Sequence, residues 1–280
     1  MTNGKRPVVG LFVEGAVQLA SSNSIDKLWE AIAAHCGAPV DLKVYGIDKS
    51  QIVSMRRDLL PKRAGATQVI SSREGLDIAI ARAVGRDKLE RVIIALDATP
   101  PNQLLDLFFL GEESNPGPRV PSCLRTEAAF VLDALSKSAE QKFPASLRRA
   151  AERQARRYLD GDELTERAVL SEVEVLYMEP EFEALLASDE ACVLKALGYS
   201  HQARPRDWPA WKGKRRPELA ELISRAVKLA APGVAKKVGG AYQNRKSAWG
   251  VRIIQSAEPN GGLWKHPIAR RLCRLLHGSA

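Results

Sequence analysis

Three short apolar runs, each closing on an acidic residue, limit what this chain can fold into. Pro7 to Val13 reads Pro-Val-Val-Gly-Leu-Phe-Val and is followed by Glu14. Arg91 to Leu96 reads Arg-Val-Ile-Ile-Ala-Leu and is followed by Asp97. Val173 to Met178 alternates as a strand does and runs into Glu179, Glu181 and Glu183. The first two are nearly continuous in their apolar character, which is the mark of strands covered on both faces, as in a parallel sheet. Gly15, after Glu14, allows the backbone to turn at the strand's carboxyl end.

Helical patterns lie between these strands. Ser24 is a cap for a helix with the apolar stripe Ile25, Leu28, Trp29 and Ile32, stopped at Gly37. Val40 to Ile47 reads as a second strand and Thr67 to Ile70 as a short third one. The capping-box sequence Ser71-Ser72-Arg73-Glu74 opens a helix carrying Leu76, Ile80 and Val84. Thr126 to Lys142 and Pro144 to Leu159 read as two further helices, the second with Arg149, Arg153, Arg156 and Arg157 on one face. After Met178, Pro180 suits a first helical position, and Phe182, Leu185, Leu186, Val193 and Leu197 continue as one helix. The alternation predicts an α/β fold: a mainly parallel, Rossmannoid sheet with helices on both faces over residues 1–198, and a helical insertion around 123–170. Residues 199–280 are expected to form a basic, mainly helical region, including helices around Leu219 to Leu229 and Ile268 to Leu276.

A chain of 280 residues with 45% hydrophobic content has enough apolar material for a large core. No apolar run approaches the ~20 residues needed for a membrane helix, and the start Met-Thr-Asn-Gly-Lys-Arg lacks a signal-peptide pattern, so a cytoplasmic protein with no membrane partner is expected. Cys36, Cys123, Cys192 and Cys273 are scattered without a Cys-x-x-Cys pair, which predicts reduced, buried thiols and no zinc site. No Gly-x-x-x-x-Gly-Lys-Ser/Thr loop occurs, so ATP hydrolysis is not expected of the chain itself.

The net charge of +9 is unevenly distributed: residues 1–198 hold 25 Lys and Arg against 29 Asp and Glu, whereas residues 199–280 hold 17 against 4. Such a segment suits a polyanion, DNA or RNA, or else an acidic protein surface. Within it, Arg204, Arg206, Trp208, Trp211, Lys212, Lys214, Arg215 and Arg216 interleave cations with two indoles. That combination neutralises phosphates while a ring stacks on a base, or pins a linker to a core while the cations stay in solvent.

In an open parallel sheet, ligands bind beyond the carboxyl ends of the strands. Glu14, Asp97 and the Glu179 to Glu183 junction are therefore expected to converge. Carboxylate oxygens with water suit Mg2+ or Mn2+, and such an ion serves phosphoryl transfer. Glu181 and Glu183 would lie on nearly opposite sides of a helix begun at Pro180, and Glu181 is nearer the strand end.

Val-Glu-Gly at 13–15, Leu-Asp at 96–97 and Glu-Phe-Glu-Ala-Leu-Leu-Ala-Ser-Asp at 181–189 resemble a bacterial Toprim-like family of unknown function. The resemblance covers roughly residues 7–198. It implies a magnesium-dependent nuclease or nicking subunit in a phage-defence system with an ATPase partner, using Glu14 as base or ligand and Asp97, Glu181 and Glu183 as metal ligands. The sequence departs from that pattern at Thr99, where the Asp-x-Asp pair has its second acid, and at Ala16-Val17-Gln18, which lacks an acid after the glycine. Glu181, Glu183 or Asp106 would have to substitute; the alternative is a catalytically degenerate subunit kept for nucleic-acid binding or assembly, oligomeric or otherwise.

Overall fold

The computed structural model describes residues 6–14, 23–56, 74–97, 127–139, 142–159, 170–179, 181–200, 202–211 and 218–278. The chain forms two compact units. The first comprises Met1–Gln18, Pro39–Tyr177 and Gly278–Ala280; the second comprises Leu19–Ala38 and Met178–His277.

The first unit is built on a four-stranded parallel sheet flanked by helices, with β1 (Val8–Glu14), β2 (Asp41–Ile47), β3 (Arg91–Asp97) and β4 (Val173–Met178) in the order β2-β1-β3-β4. In β1, Phe12 pairs across the ladders with Tyr45 of β2 and Ile94 of β3. Both central strands are buried along almost their whole length, whereas β2 is an edge strand with exposed positions. This explains the uninterrupted apolar runs: successive side chains alternate between faces, and in β1 and β3 both faces are out of water.

Phe12, Ile94 and Val175 share one core with helices α2 (Lys49–Ser54), α3 (Leu76–Asp87), α4 (Glu127–Ser136) and α5 (Ala145–Leu159), represented by Ile52, Ile80, Phe130 and Ala151. The Phe12 and Tyr45 rings stack with centroids 4.7 Å apart. Helix α5 packs against α4 and buries Leu147, Ala150, Ala151 and Ala155 in the shared core, while Arg149, Arg153 and Arg156 stay exposed. Two of those cations find acids: Arg153 pairs with Glu172 at 2.8 Å and Arg156 with Glu152 at 2.5 Å. The expected strand at Thr67 to Ile70 lies outside the described residues.

The second unit is helical among its described residues. Its helices are α1 (Asn23–Cys36), α6 (Glu183–Ala187), α7 (Glu190–Ala196), α8 (Glu218–Lys228), α9 (Pro232–Val238), α10 (Lys246–Ser256), α11 (Gly262–Lys265) and α12 (Pro267–His277). Helix α10 packs against α1 and α7, and α8 packs against α6. The close approach of α1 uses Gly250, where a Cβ would stand 3.1 Å from Leu28 Cδ1. Among the described residues no helix is long and apolar enough to cross a membrane.

From Met178 to His277 the chain belongs to the second unit, where α6 and α7 pack against α8 and α10. Two expectations change here. The single helix expected after β4 is two, since Asp189 leaves helical geometry (φ −131°, ψ 93°) and its carboxylate caps α7 by accepting from the Cys192 N–H at 3.1 Å. Cys36 and Cys273, expected as reduced thiols, form a disulfide: α1 and α12 bring residues 237 apart in sequence to a Cα separation of 5.2 Å. Sequence spacing carries no information about a pair joined only through tertiary packing. Cys192 is a free buried thiol, as expected, and burial pushes its pKa up to about 12.

Candidate functional site

The strand order creates a switch point. The chain leaves β1 for a neighbour on one side, β2, and then returns past it to β3 on the other side. A crevice at the carboxyl ends of two strands related in this way is where open α/β sheets bind ligands. Glu14 and Asp97 are the last residues of β1 and β3. Since Val13 is in register with Ala95, both acids lie at the same edge of the sheet.

The Glu14 side chain is only 7% exposed, and its Oε1 lies 2.8 Å from Nζ of Lys49, whose side chain is 28% exposed. Burial pushes the Glu14 carboxyl above its ordinary value, and the nearby Asp48 carboxylate adds to the rise; the hydrogen bond and charge of Lys49 and the backbone N–H of Asp97 pull the other way. Oε2 of Glu14 is buried and has no hydrogen-bond partner among the described residues. An acceptor left in that state is costly.

Lys49 is the residue that reading the sequence overlooked. Parallel register sets Glu14 beside Ile47, the final residue of β2, and Lys49 follows two positions later. Asp48 fixes that geometry: its Oδ1 accepts from the Ser50 backbone N–H at 2.8 Å, and Gln51 Oε1 accepts from the Asp48 N–H at 2.9 Å, a complete capping box at the start of α2. A basic residue just past the end of the neighbouring strand was the available signal.

Among the described residues no group of three or more His, Cys, Asp or Glu side chains is arranged to hold a metal ion. Magnesium does not demand one, because it keeps several waters and is commonly held by one or two carboxylates together with substrate phosphate oxygens. Glu14 and Asp97 supply hard oxygen donors on adjacent strands, and the orphaned Oε2 is the kind of buried acceptor that a cation would satisfy. These residues fit magnesium or manganese as a sparse, water-rich site. Asp106 lies outside the described residues.

Glu181 and Glu183 belong to the second unit. The Glu183 side chain is 8% exposed and pairs with Lys246 Nζ at 2.8 Å. It also accepts from the Tyr242 hydroxyl at 3.3 Å. Its carboxylate is thus engaged in holding α6 to α10 and the turn before it. Glu181 is half-buried, and its carbonyl accepts from the Ala184 N–H at 3.0 Å, so it contributes backbone to the first turn of α6.

The basic, tryptophan-bearing stretch is partly described. Trp208 donates its indole N–H to Glu190 Oε1 at 2.9 Å and Trp211 donates to the Ala187 carbonyl at 2.8 Å. Their rings stack, with centroids 5.5 Å apart and 12° between planes. Arg204 pairs with the same Glu190 oxygen at 2.9 Å, while Arg206 is exposed. The indoles therefore anchor this stretch to α6 and α7, and both remain half-exposed. Lys212, Lys214, Arg215 and Arg216 lie outside the described residues. The second unit as a whole holds 19 Lys and Arg against 11 Asp and Glu, a balance of +8 out of the chain's +9. It also contains a cavity of about 450 Å³ beside α7, lined by Lys195, Tyr199, Ser256 and Glu258 among others, but Lys195 and Glu258 pair with each other there.

No family model, curated protein or solved structure matches this chain.

Proposed function

We propose that the first unit is a magnesium- or manganese-dependent phosphodiesterase that cleaves or nicks nucleic acid, with Glu14 and Asp97 as its protein ligands. The observation that carries this reading is the placement of two acids at the carboxyl ends of adjacent strands flanking the switch point of a parallel sheet, one of them with a buried, orphaned oxygen. When bound, a divalent ion would orient the phosphodiester, activate water and stabilise the departing oxygen. The chain's own part is to position. Burial holds the Glu14 carboxylate in place, the Asp97 backbone N–H faces it, and Lys49 balances its charge until a cation arrives. No ligand role is proposed for Glu183, whose carboxylate is held by Lys246 and Tyr242. The net-positive second unit suits the polyanionic substrate. The phage-defence setting with an ATPase partner rests on the Toprim-like resemblance.

The test is cleavage of labelled single- and double-stranded DNA and RNA with Mg2+, Mn2+ or chelator. Activity should require the metal, fall at least ~100-fold in Glu14→Gln and Asp97→Asn, and survive in Glu183→Gln where that variant folds. Cleavage that persists in chelator, or in both variants, would show that other residues do the chemistry.

A second reading has its own observation. Lys49 already neutralises Glu14, and Thr99 stands where the Toprim pair has its second acid. A degenerate subunit retained for binding or assembly would show the same features. It predicts nucleic-acid or partner binding with no cleavage under any metal condition.

A further inference from the structure

The ion pair at the switch point assigns Lys49 a part beyond neutralising Glu14. We propose that Lys49 is a positioning residue that couples cation loading to phosphate recognition: its ammonium holds Glu14 Oε1 while the site lacks a cation, and turns to a non-bridging phosphate oxygen once a divalent cation has taken Glu14. This rests on the reading of the site as a metal-assisted phosphodiesterase.

Three features support it. The two oxygens of Glu14 are in different states, Oε1 meeting the ammonium at 2.8 Å and Oε2 buried without a partner among the described residues. A cation entering at Oε2 would therefore arrive beside a like charge held by the same carboxylate, and the repulsion favours release of the more mobile of the two. The longer stem and the greater exposure belong to the lysine. Its backbone is locked by the Asp48 capping box at the first position of α2, yet its side chain is 28% exposed, against 7% for Glu14. Finally, an ammonium on a four-carbon stem is a compact point charge able to change partners, and phosphate is a natural acceptor for it. No bond is made or broken in this exchange; one ion pair replaces another.

The full chain is titrated with Mn2+ alone, following the free ion by paramagnetic resonance, and then with a short fluorescent oligonucleotide with and without Mn2+. Lys49→Met should bind Mn2+ roughly tenfold more tightly than wild type, because a like charge has been removed. It should also lose most of the Mn2+-dependent gain in oligonucleotide affinity, a gain that in wild type must be reciprocal between metal and oligonucleotide. Lys49→Arg keeps the charge and should retain the coupling, which protects the test against a poorly folded Lys49→Met protein. Unchanged or weaker Mn2+ binding by a folded Lys49→Met protein, or intact coupling in it, would overturn the role of Lys49 and leave the metal site standing. Absence of Mn2+ binding in wild type, or undiminished binding in Glu14→Gln, would overturn the metal reading and this inference together.

Discussion

Nζ of Lys49 lies 2.8 Å from Oε1 of Glu14, joining the first residue of α2 to the last residue of β1 at the carboxyl edge of the sheet. The carboxylate is almost fully buried and the ammonium is not. Because the two partners differ in burial, their removal should have unequal effects.

Lys49→Met should destabilise the protein by about 1–3 kcal/mol, since it leaves a buried carboxylate without its cation; the partial exposure of Lys49 keeps the loss below that of a fully buried pair. Adding Glu14→Gln should recover part of the loss, as the uncompensated charge disappears. Urea unfolding of the two single variants and the double variant gives the coupling, and strictly additive losses would refute the pairing.

The carboxyl group of Glu14 titrates above 4.5, chiefly because burial disfavours its charged form. An acid with a raised folded-state pKa binds its proton more tightly in the folded protein than in the unfolded chain. Its contribution to stability is therefore fully present below the unfolded value and declines as pH rises from about 4.5 through the folded one. Glu14→Gln removes that titration, so the Tm of wild type minus that of the variant should fall across this window and stay constant above it. A difference that rises with pH would reverse the assigned cause.

The Cys36–Cys273 bond closes a loop spanning 237 positions between α1 and α12. Reduction by a dithiol, or Cys273→Ser, should cost about 2–5 kcal/mol in chemical unfolding. In a Cys123→Ser background, thiol titration of the native protein should find no rapidly reacting group before reduction and two after it. Cys192 is excluded from that count by its burial, its Sγ donating to the Ile253 carbonyl at 2.8 Å and its pKa standing at about 12. Rapid modification before reduction would show that the bridge is open.

Binding to nucleic acid should fall steeply with salt. Replacing Lys212, Lys214, Arg215 and Arg216 together with Ala should flatten the logarithmic slope by about one unit for each phosphate that these cations neutralise in the wild type. Trp208→Phe keeps a ring but removes the hydrogen bond to Glu190, so it should cost about 1 kcal/mol of stability while sparing single-strand binding. Trp208→Ala should weaken single strands more than duplex if the half-exposed ring stacks on bases. Fluorescence anisotropy across a salt series separates the cases. Equal losses of affinity on both substrates would leave the indoles with anchoring alone.

The sequence by itself determined the sheet and where two of its acids stand. The apolar runs ending at Glu14 and Asp97 marked β1 and β3 as covered strands and set both acids at the carboxyl edge, because strand burial and chain direction are local properties of hydrophobic pattern. Tertiary structure decided what those acids meet. Lys49 reaches Glu14 through the register of a neighbouring strand. Glu183 is drawn to Lys246 and Tyr242 some 60 positions away, and Cys36 finds Cys273 only when α1 and α12 lie side by side. Partnerships of this kind depend on which surfaces the folded chain brings together. No periodicity records them.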